Sequence, residues 1–297
     1  MKRVFLFLLT NIAVMLTLGI VANVLCALMG TSLDQLIGPE YSHLAVFAFV
    51  YGLGGSIISL LMSKRMAKHM CRAKTIDGSE GEAERWLVST VEDLARRANV
   101  KMPEVAIYPG QANAFATGAF KNSALVAVST DIMQQMTKEE LRAVLGHEMS
   151  HVANGDMVTL TLVQGVLNAF VIFFSRVLAS IVASGGRGDS RRRDGGGLYY
   201  PLVFVFNLCL GLLASLVVFA YSRRREYAAD AGSAHLLGSP APMIAALRRL
   251  GNLQPGVLPD SLRAFGIDGR KKTSLFATHP SLDDRIAALQ NMPPAVF

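Results

Sequence analysis

The chain has 297 residues, of which 52% are hydrophobic and only 17% are charged, and its formal net charge is +7. Its mean hydropathy is +0.37, which argues against an ordinary soluble domain, since such domains carry about 25% charged residues. The three cysteines form no C-x-x-C pair, and no basic face interleaved with aromatic residues is present, so a disulfide framework, a cysteine zinc site and a nucleic-acid partner are not expected.

Two apolar runs open the chain, and each is long enough to cross a lipid bilayer, which takes about 20 residues. The first covers about residues 4–28 and follows Lys2 and Arg3. Because this run is longer than the apolar region of a signal peptide and no A-x-A site closes it, we expect an uncleaved anchor. The second run covers about residues 44–62, so residues 4–62 predict a transmembrane hairpin.

A basic cluster follows the second run without any acidic residue among its members, which are Lys64, Arg65, Lys68, Arg72 and Lys74. Flanks rich in lysine and arginine stay on the cytoplasmic side of a membrane. The cluster is therefore predicted to be cytoplasmic, and the N-terminus shares that side because two spans separate them. Such clusters also suit a lipid bilayer with anionic head groups.

From about residue 81 the composition is that of a soluble α+β domain. Residues 82–98 have the pattern of an amphipathic helix, and residues 105–108 and 125–128 read as short strands. Between these strands lies Asn113-Ala114-Phe115-Ala116-Thr117-Gly118, which is expected to form a strand at a sheet edge or a turn.

The strongest chemical signal is His147-Glu148-Met149-Ser150-His151, an H-E-x-x-H motif inside a helical pattern. Thr137 and Glu140 form a capping box that begins this helix, and Gly155 is a good helix stop. Positions i and i+4 share one helix face, so both imidazoles can reach one metal ion. Glu148 can contact a water molecule on that metal without being a ligand, as in a zinc metalloprotease helix.

Two further apolar runs, at about residues 157–183 and 198–220, predict a second transmembrane hairpin. Between them lies a glycine- and arginine-rich loop that contains Arg187 and Arg191 to Arg193. The excess of positive charge would make this loop cytoplasmic. That assignment conflicts with the cytoplasmic flanks on either side if both runs cross the membrane.

A catalytic zinc ion usually takes three protein ligands and leaves one position for water. Glu226 is the best candidate for the third ligand, because it follows the fourth apolar run and begins an E-x-x-x-D pattern. Asp230 then lies one helical turn further on the same face, where its carboxylate can accept the ring N–H of a ligand histidine. The alternative, an ion pair between Glu226 and its arginine neighbours, stays open.

These motifs together resemble the HtpX family of bacterial membrane zinc metalloproteases. The resemblance rests on residues 147–156 and 222–230, extends to the Asn113 segment and to His279-Pro280 with Arg285, and covers nearly the whole chain. It implies a four-helix transmembrane anchor with a cytoplasmic α+β gluzincin-like domain. It also implies an endopeptidase of the bacterial inner membrane that acts in stress response and quality control on unfolded or misfolded membrane proteins.

The expected roles follow from charge and reach. His147, His151 and Glu226 would bind one zinc ion per subunit, and Glu148 would act as the general base. His279 is expected either to donate to the developing oxyanion or to serve only as a helix-entry residue. The resemblance implies that an edge strand holds the substrate extended through Asn113, Ala114 and Phe115.

The predicted domains are a transmembrane hairpin at 4–62, a first part of the protease domain at 63–156, a second hairpin at 157–220 and a second protease part at 221–297. One metal ion must bind residues that precede the second hairpin and a residue that follows it. The chain must therefore cross the membrane an even number of times between these residues. We expect two crossings, which makes the arginine-rich loop periplasmic and both termini cytoplasmic.

Two readings from other classes of function remain. A membrane scaffold with a structural or vestigial zinc site would not need Glu148, whose presence argues against it. A transporter with polar residues inside its spans is disfavoured, because the metal motif lies outside the apolar runs and the sequence has no internal repeat.

Overall fold

The computed structural model describes residues 39–185, 196–253 and 277–292. The chain divides into two compact units, which we call the helical unit (Met1–Ile57 with Leu162–Ser215) and the sheet unit (Ile58–Thr161 with Leu216–Phe297). The first predicted apolar run and the arginine-rich loop lie outside the described residues.

The elements in chain order are α1 (Pro39–Met70), β1 (Lys74–Ile76), α2 (Glu82–Arg97), β2 (Glu104–Tyr108), β3 (Ala114–Thr117), a 3-10 turn (Lys121–Ser123), β4 (Leu125–Ser129), α3 (Thr130–Gln135), α4 (Lys138–Asn154), α5 (Asp156–Gly185), α6 (Gly196–Leu237), α7 (Ala241–Asn252) and α8 (Leu282–Gln290).

Three helices among the described residues are long and apolar enough to cross a membrane, and they cover Leu44–Met70, Asp156–Ala183 and Leu198–Leu237. They contain the second, third and fourth predicted runs. Within the helical unit, Gly52 lets α1 approach α5 closely, because a Cβ there would lie 2.5 Å from the backbone nitrogen of Ala169. The apolar helices and the α+β unit agree with the predicted fold class, while a four-helix anchor stays a prediction.

The sheet unit is built on four strands in the order β1-β2-β4-β3. Strand β2 runs parallel to β4 and antiparallel to β1, and β3 runs antiparallel to β4. Of the described strands, β1 and β3 therefore lie at the edges. The segment that was expected to be an edge strand or a turn forms the edge strand β3.

The two faces of the sheet bury different partners, because successive side chains of a strand point to opposite faces. Val105, Val126 and Val128 join the main apolar core with side chains of α2, α4 and α7. Phe115 and Leu125 belong to a smaller cluster on the other face, with Tyr108 and with Ala67 of α1. The sheet thus gives α4 a fixed platform, with β3 at its side.

The start and the end of α4 follow local sequence signals. Thr137 Oγ1 accepts from the backbone N–H of Glu140, and the Glu140 carboxylate accepts from the backbone N–H of Thr137, so the predicted capping box is present. The helix ends at Asn154, and Gly155 follows with φ 68°, in the left-handed region that glycine enters without strain. That turn is tight enough for α5 to begin at the next residue, Asp156.

Candidate metal centre

The two histidines of α4 face each other in the interior of the sheet unit. His147 and His151 are both buried, and their Nε2 atoms lie 3.1 Å apart. This is the arrangement that helical i and i+4 spacing predicts.

Residues 216–237 of α6 bring a carboxylate to the same point. Glu226 is fully buried, and its two oxygens lie 3.4 Å from His147 Nε2 and 3.4 Å from His151 Nε2. The ligand atoms of His147, His151 and Glu226 all lie within 4.8 Å of one another. Zinc bonds of 2.0–2.1 Å at tetrahedral angles separate ligand atoms by about 3.3 Å, so the spacing fits one ion.

Two carboxylates orient the imidazole rings. Nδ1 of His147 donates to Asp230 Oδ1 at 2.9 Å, and Nδ1 of His151 donates to Asp156 Oδ2 at 2.7 Å. With Nδ1 carrying the proton, each neutral ring turns the lone pair of Nε2 towards the other ring and towards Glu226. Neither Glu226 oxygen accepts a hydrogen bond from the residues that the structure describes. Three converging acceptors without a donor fit a cation.

The same carboxylates perturb the protonation of both rings. Burial opposes the charged form of His147, but hydrogen bonding to Asp230 and the nearby Glu226 carboxylate raise its pKa above the usual value. Asp156 and Glu226 raise the pKa of His151 against the same burial effect. A metal ion that binds here must therefore displace protons that the two rings hold more tightly than free imidazole does.

Glycine on both helices lets α4 and α6 come close enough for these contacts. A Cβ on Gly146 would lie 2.8 Å from Ser233 Oγ, and a Cβ on Gly232 would lie 2.5 Å from Ser150 Oγ. Ser233 Oγ donates across the interface to the carbonyl of Ala143 at 2.8 Å. Because glycine has no Cβ, the two helices pack closely, and the Glu226 carboxylate can reach the α4 histidines.

The C-terminal segment closes the site from a third direction. Nδ1 of His279, which is buried, lies 3.0 Å from Glu226 Oε2. Arg285 of α8 donates to both oxygens of Asp230, at 2.6 and 2.7 Å. Both side chains come from residues 277–292, so the metal centre combines parts of α4, α6 and this tail.

Glu148 lies beside the histidines but turns towards the sheet. Its carboxylate accepts from the backbone N–H of Ala116 in β3, and its buried Oε2 has no hydrogen-bond partner in the described part of the chain. Burial raises the pKa of Glu148 to about 8. A buried carboxyl group with one oxygen free and a raised pKa has the properties of a general base.

Comparison with known proteins decides the family. The sequence model of peptidase family M48 matches residues 82–293. The HtpX protease homologue of Verminephrobacter eiseniae is 52% identical to this chain over 98% of its length and 99% of the relative. The homologue of Bordetella pertussis is also 52% identical, over 98% of this chain and 99% of the relative. This chain belongs to the HtpX proteases of peptidase family M48.

The family predicted from the motifs is therefore confirmed, and the chain is a membrane metalloprotease. Its fold is also similar to the crystal structure of Ste24p from S. mikatae, with a TM-score of 0.53 at 18% identity. That match covers 95% of this chain and 66% of the Ste24p chain. At such low identity the likeness supports the fold alone.

The predicted substrate segment occupies the edge strand of this HtpX protease. Ser129 N–H donates to the carbonyl of Asn113 at 2.9 Å, which fixes the pairing of β3 with β4. Since backbone groups alternate in direction along an antiparallel pair, those of Phe115 point to β4, and those of Ala114 and Ala116 point away from it. The Phe115 ring packs on Tyr108 at 5.5 Å.

Three residues make contacts in the HtpX site that the sequence did not predict: Asp156 with His151, Arg285 with Asp230 and Ala116 with Glu148. Asp156 and Arg285 entered only through the family resemblance, and Ala116 entered only as part of the Asn113 segment. Only Asp156 had a local signal, since it follows His151 by five residues across the Gly155 turn. The contacts of Arg285 and Ala116 depend on packing between distant segments.

Proposed function

We propose that this chain is a zinc endopeptidase that hydrolyses peptide bonds of misfolded membrane proteins in protein quality control. The observation that carries the proposal is the set of three buried ligand groups, 3.1–3.4 Å apart, beside a buried carboxylate with one free oxygen. A purely structural zinc site would use a fourth protein ligand and would have no need of a free carboxylate next to it.

His147, His151 and Glu226 would hold the zinc ion. Their donor set, two imidazole nitrogens and a carboxylate, is one of the sets found in catalytic zinc sites that keep an open position. Zinc held by these residues would supply Lewis-acid chemistry, polarising the scissile carbonyl and acidifying the attacking water. Asp230 would fix the tautomer of His147 through the hydrogen bond at Nδ1.

Glu148 would move the proton. Its Oε2 would take a proton from the attacking water while the water oxygen forms its bond to the scissile carbon. Oε2 would then give that proton to the leaving amine as the C–N bond breaks. The N–H of Ala116 on the other oxygen keeps the carboxylate aimed. His279 would donate to the carbonyl oxygen as negative charge develops on it.

The substrate would bind as an added strand beside β3. The backbone groups of Ala114 and Ala116 point away from β4. The N–H of Ala116 donates to Glu148, so the N–H and carbonyl of Ala114 and the carbonyl of Ala116 would pair with an extended peptide. Pairing through the backbone reads an extended shape more than a sequence, and only unfolded chains present long extended segments. The Asn113 to Phe115 segment would thereby select unfolded substrates.

We place the active site and both termini on the cytoplasmic side of the bacterial inner membrane, with residues 4–62 and 157–220 as two transmembrane hairpins. The apolar helices and the basic flank at residues 64–74 support this arrangement. Residues 63–156 and 221–297 would then form the two parts of the protease domain.

Cleavage of casein and of a model membrane protein by the purified full-length protease tests the proposal. Metal depletion should abolish cleavage, and zinc should restore it. Persistent cleavage after complete metal depletion would overturn the proposal. Stoichiometric zinc binding without any cleavage would favour a scaffold with a vestigial zinc site.

A further inference from the structure

Arg285 is the largest fully buried side chain in the described part of the protein, at 0% exposure. It lies on α8, 138 residues after His147 in the chain. A buried guanidinium group is costly unless charged partners surround it. Its partners are therefore informative about its role, and they lie at the candidate metal centre.

The contact between Arg285 and Asp230 is bidentate. Nε donates to Oδ2 at 2.7 Å and Nη2 donates to Oδ1 at 2.6 Å, so the planar fork fixes the plane of the carboxylate. Oδ1 also accepts from Nδ1 of His147 at 2.9 Å. The orientation of the His147 ring thus depends on the plane that Arg285 imposes on Asp230.

Two further distances place the guanidinium at the metal ligands themselves. Nη2 lies 3.4 Å from His147 Nδ1. Nη1, which has no hydrogen-bond partner among residues 39–185, 196–253 and 277–292, lies 3.7 Å from Glu226 Oε2. Arg285 Nη2 and His147 Nδ1 lie close together because both donate to the same oxygen, Oδ1 of Asp230. Arg285 therefore acts on His147 through Asp230.

His151 is held in a different way. Its carboxylate partner, Asp156, begins the next helix directly after the Gly155 turn, so local backbone geometry already fixes its position. Among the described residues, no arginine pairs with the Asp156 carboxylate, and Arg225 donates only to its backbone carbonyl, at 3.3 Å. Of the two histidines, only His147 is oriented with the help of the distant C-terminal segment.

We propose that Arg285 is a positioning residue that sets the metal affinity of the protease by fixing the orientation of His147 through Asp230. This inference rests on the proposed role of His147 as a metal ligand. It makes α8 part of the metal centre rather than a helix that only packs against the core.

A double-mutant cycle on metal binding tests the dependence on Asp230. Co²⁺ is titrated into the metal-depleted full-length protein in detergent, and its visible absorption gives both affinity and coordination geometry. Arg285→Gln and Asp230→Asn should each weaken Co²⁺ binding about 10- to 100-fold and change the spectrum. The double variant, which removes both buried charges together, should bind no more weakly than the worse single variant. Losses that multiply in the double variant would overturn the proposal.

Chemical rescue separates positioning from simple docking of the tail. Arg285→Ala should regain part of its Co²⁺ affinity in millimolar guanidinium chloride, and sodium chloride at equal ionic strength should have no such effect. Arg223→Ala is the matched control, because Nη1 of Arg223 holds the same segment through the Ala277 carbonyl at 3.0 Å. It should lose less affinity and should not respond to guanidinium. Equal losses in both variants without rescue would mean that the tail only docks.

The parent protein and His147→Ala distinguish this inference from the proposed function. If Co²⁺ binding to the parent does not depend on His147, both proposals fail. If binding depends on His147 and the Arg285 variants keep the affinity and spectrum of the parent, only the inference about Arg285 fails.

Discussion

At the scale of single residues, the site divides its charged groups by what each one faces. The rings of His147 and His151 and the Glu226 carboxylate converge on one point, and Glu148 turns to the edge strand instead. The proposed ligands and the proposed base are therefore separate side chains that can be removed one at a time.

Glu148→Gln should keep zinc and lose turnover. Glutamine preserves the size of the side chain and cannot take a proton, so the rate should fall about 10²- to 10⁴-fold. Zinc content by elemental analysis and cleavage of casein are measured on the same preparation. A parallel loss of metal and activity would count against the role of Glu148 as a base.

Glu226→Ala should lose zinc, because it removes one of the three proposed protein ligands. The variant should not bind zinc at a concentration that saturates the parent, and excess zinc should restore little activity. Zinc binding as tight as that of the parent would mean that the third ligand lies elsewhere, with His279 next to be tested, since its ring lies 3.0 Å from Glu226.

Metal affinity should fall with decreasing pH. The nearby carboxylates raise the pKa values of His147 and His151 against burial, so both rings hold protons at a higher pH than free imidazole, whose pKa is about 6.5. Below those raised pKa values, each proton that zinc must displace weakens apparent binding about tenfold per pH unit. Titrations of Co²⁺ between about pH 8 and pH 5 measure the slope, and a constant affinity over that range would contradict the assignment.

At the scale of elements, the decisive feature is the close contact between α4 and α6. It depends on Gly146 and Gly232, because a Cβ at either position would collide with the hydroxyl group of Ser233 or Ser150. The two helices carry all three candidate ligands, so their separation should control the metal site directly.

Gly232→Ala should destabilise the protein by about 1–3 kcal/mol and weaken metal binding, because the new methyl group would lie 2.8 Å from Ser150 Cβ and force the helices apart. Ser150→Gly in the same chain should restore both properties. Gly211→Ala is the control, since a Cβ there meets no described atom within 4 Å, and alanine favours a helix by up to about 1 kcal/mol. Thermal unfolding and Co²⁺ titration measure both effects, and equal stability of the two alanine variants would refute the steric argument.

At the scale of the whole molecule, the question is how the chain crosses the membrane. His147 and His151 precede α5, and Glu226 follows the apolar part of α6, yet their ligand atoms lie within 4.8 Å. An even number of crossings must separate them. Both apolar stretches are longer than a span requires, which favours two crossings and a periplasmic arginine-rich loop.

A single cysteine at position 195 tests this topology. In a background without Cys26, Cys71 and Cys209, Gly195→Cys should react in intact cells with a thiol reagent that cannot cross the inner membrane. Ser79→Cys, at an exposed position of the sheet unit, should react only after lysis. Labelling of position 195 only after lysis would mean that the third and fourth runs do not cross.

The sequence by itself determined whatever depends on neighbours along the chain. The capping box at Thr137, the i and i+4 pairing of His147 with His151 and the stop at Gly155 are local, so a helical pattern was enough to predict them. The apolar runs could also be predicted from the sequence, because length and composition alone define a candidate span.

Tertiary structure alone decided which distant groups meet. Glu226 and Asp230 were candidates because E-x-x-x-D follows the H-E-x-x-H motif and the fourth apolar run. Their distances to the histidines depend on how closely α4 and α6 pack. Arg285 reaches Asp230 from 55 residues further along the chain, and Ala116 reaches Glu148 only because β3 lies beside α4. No periodicity records such contacts, since packing of side chains between elements, and not the local backbone, sets their geometry.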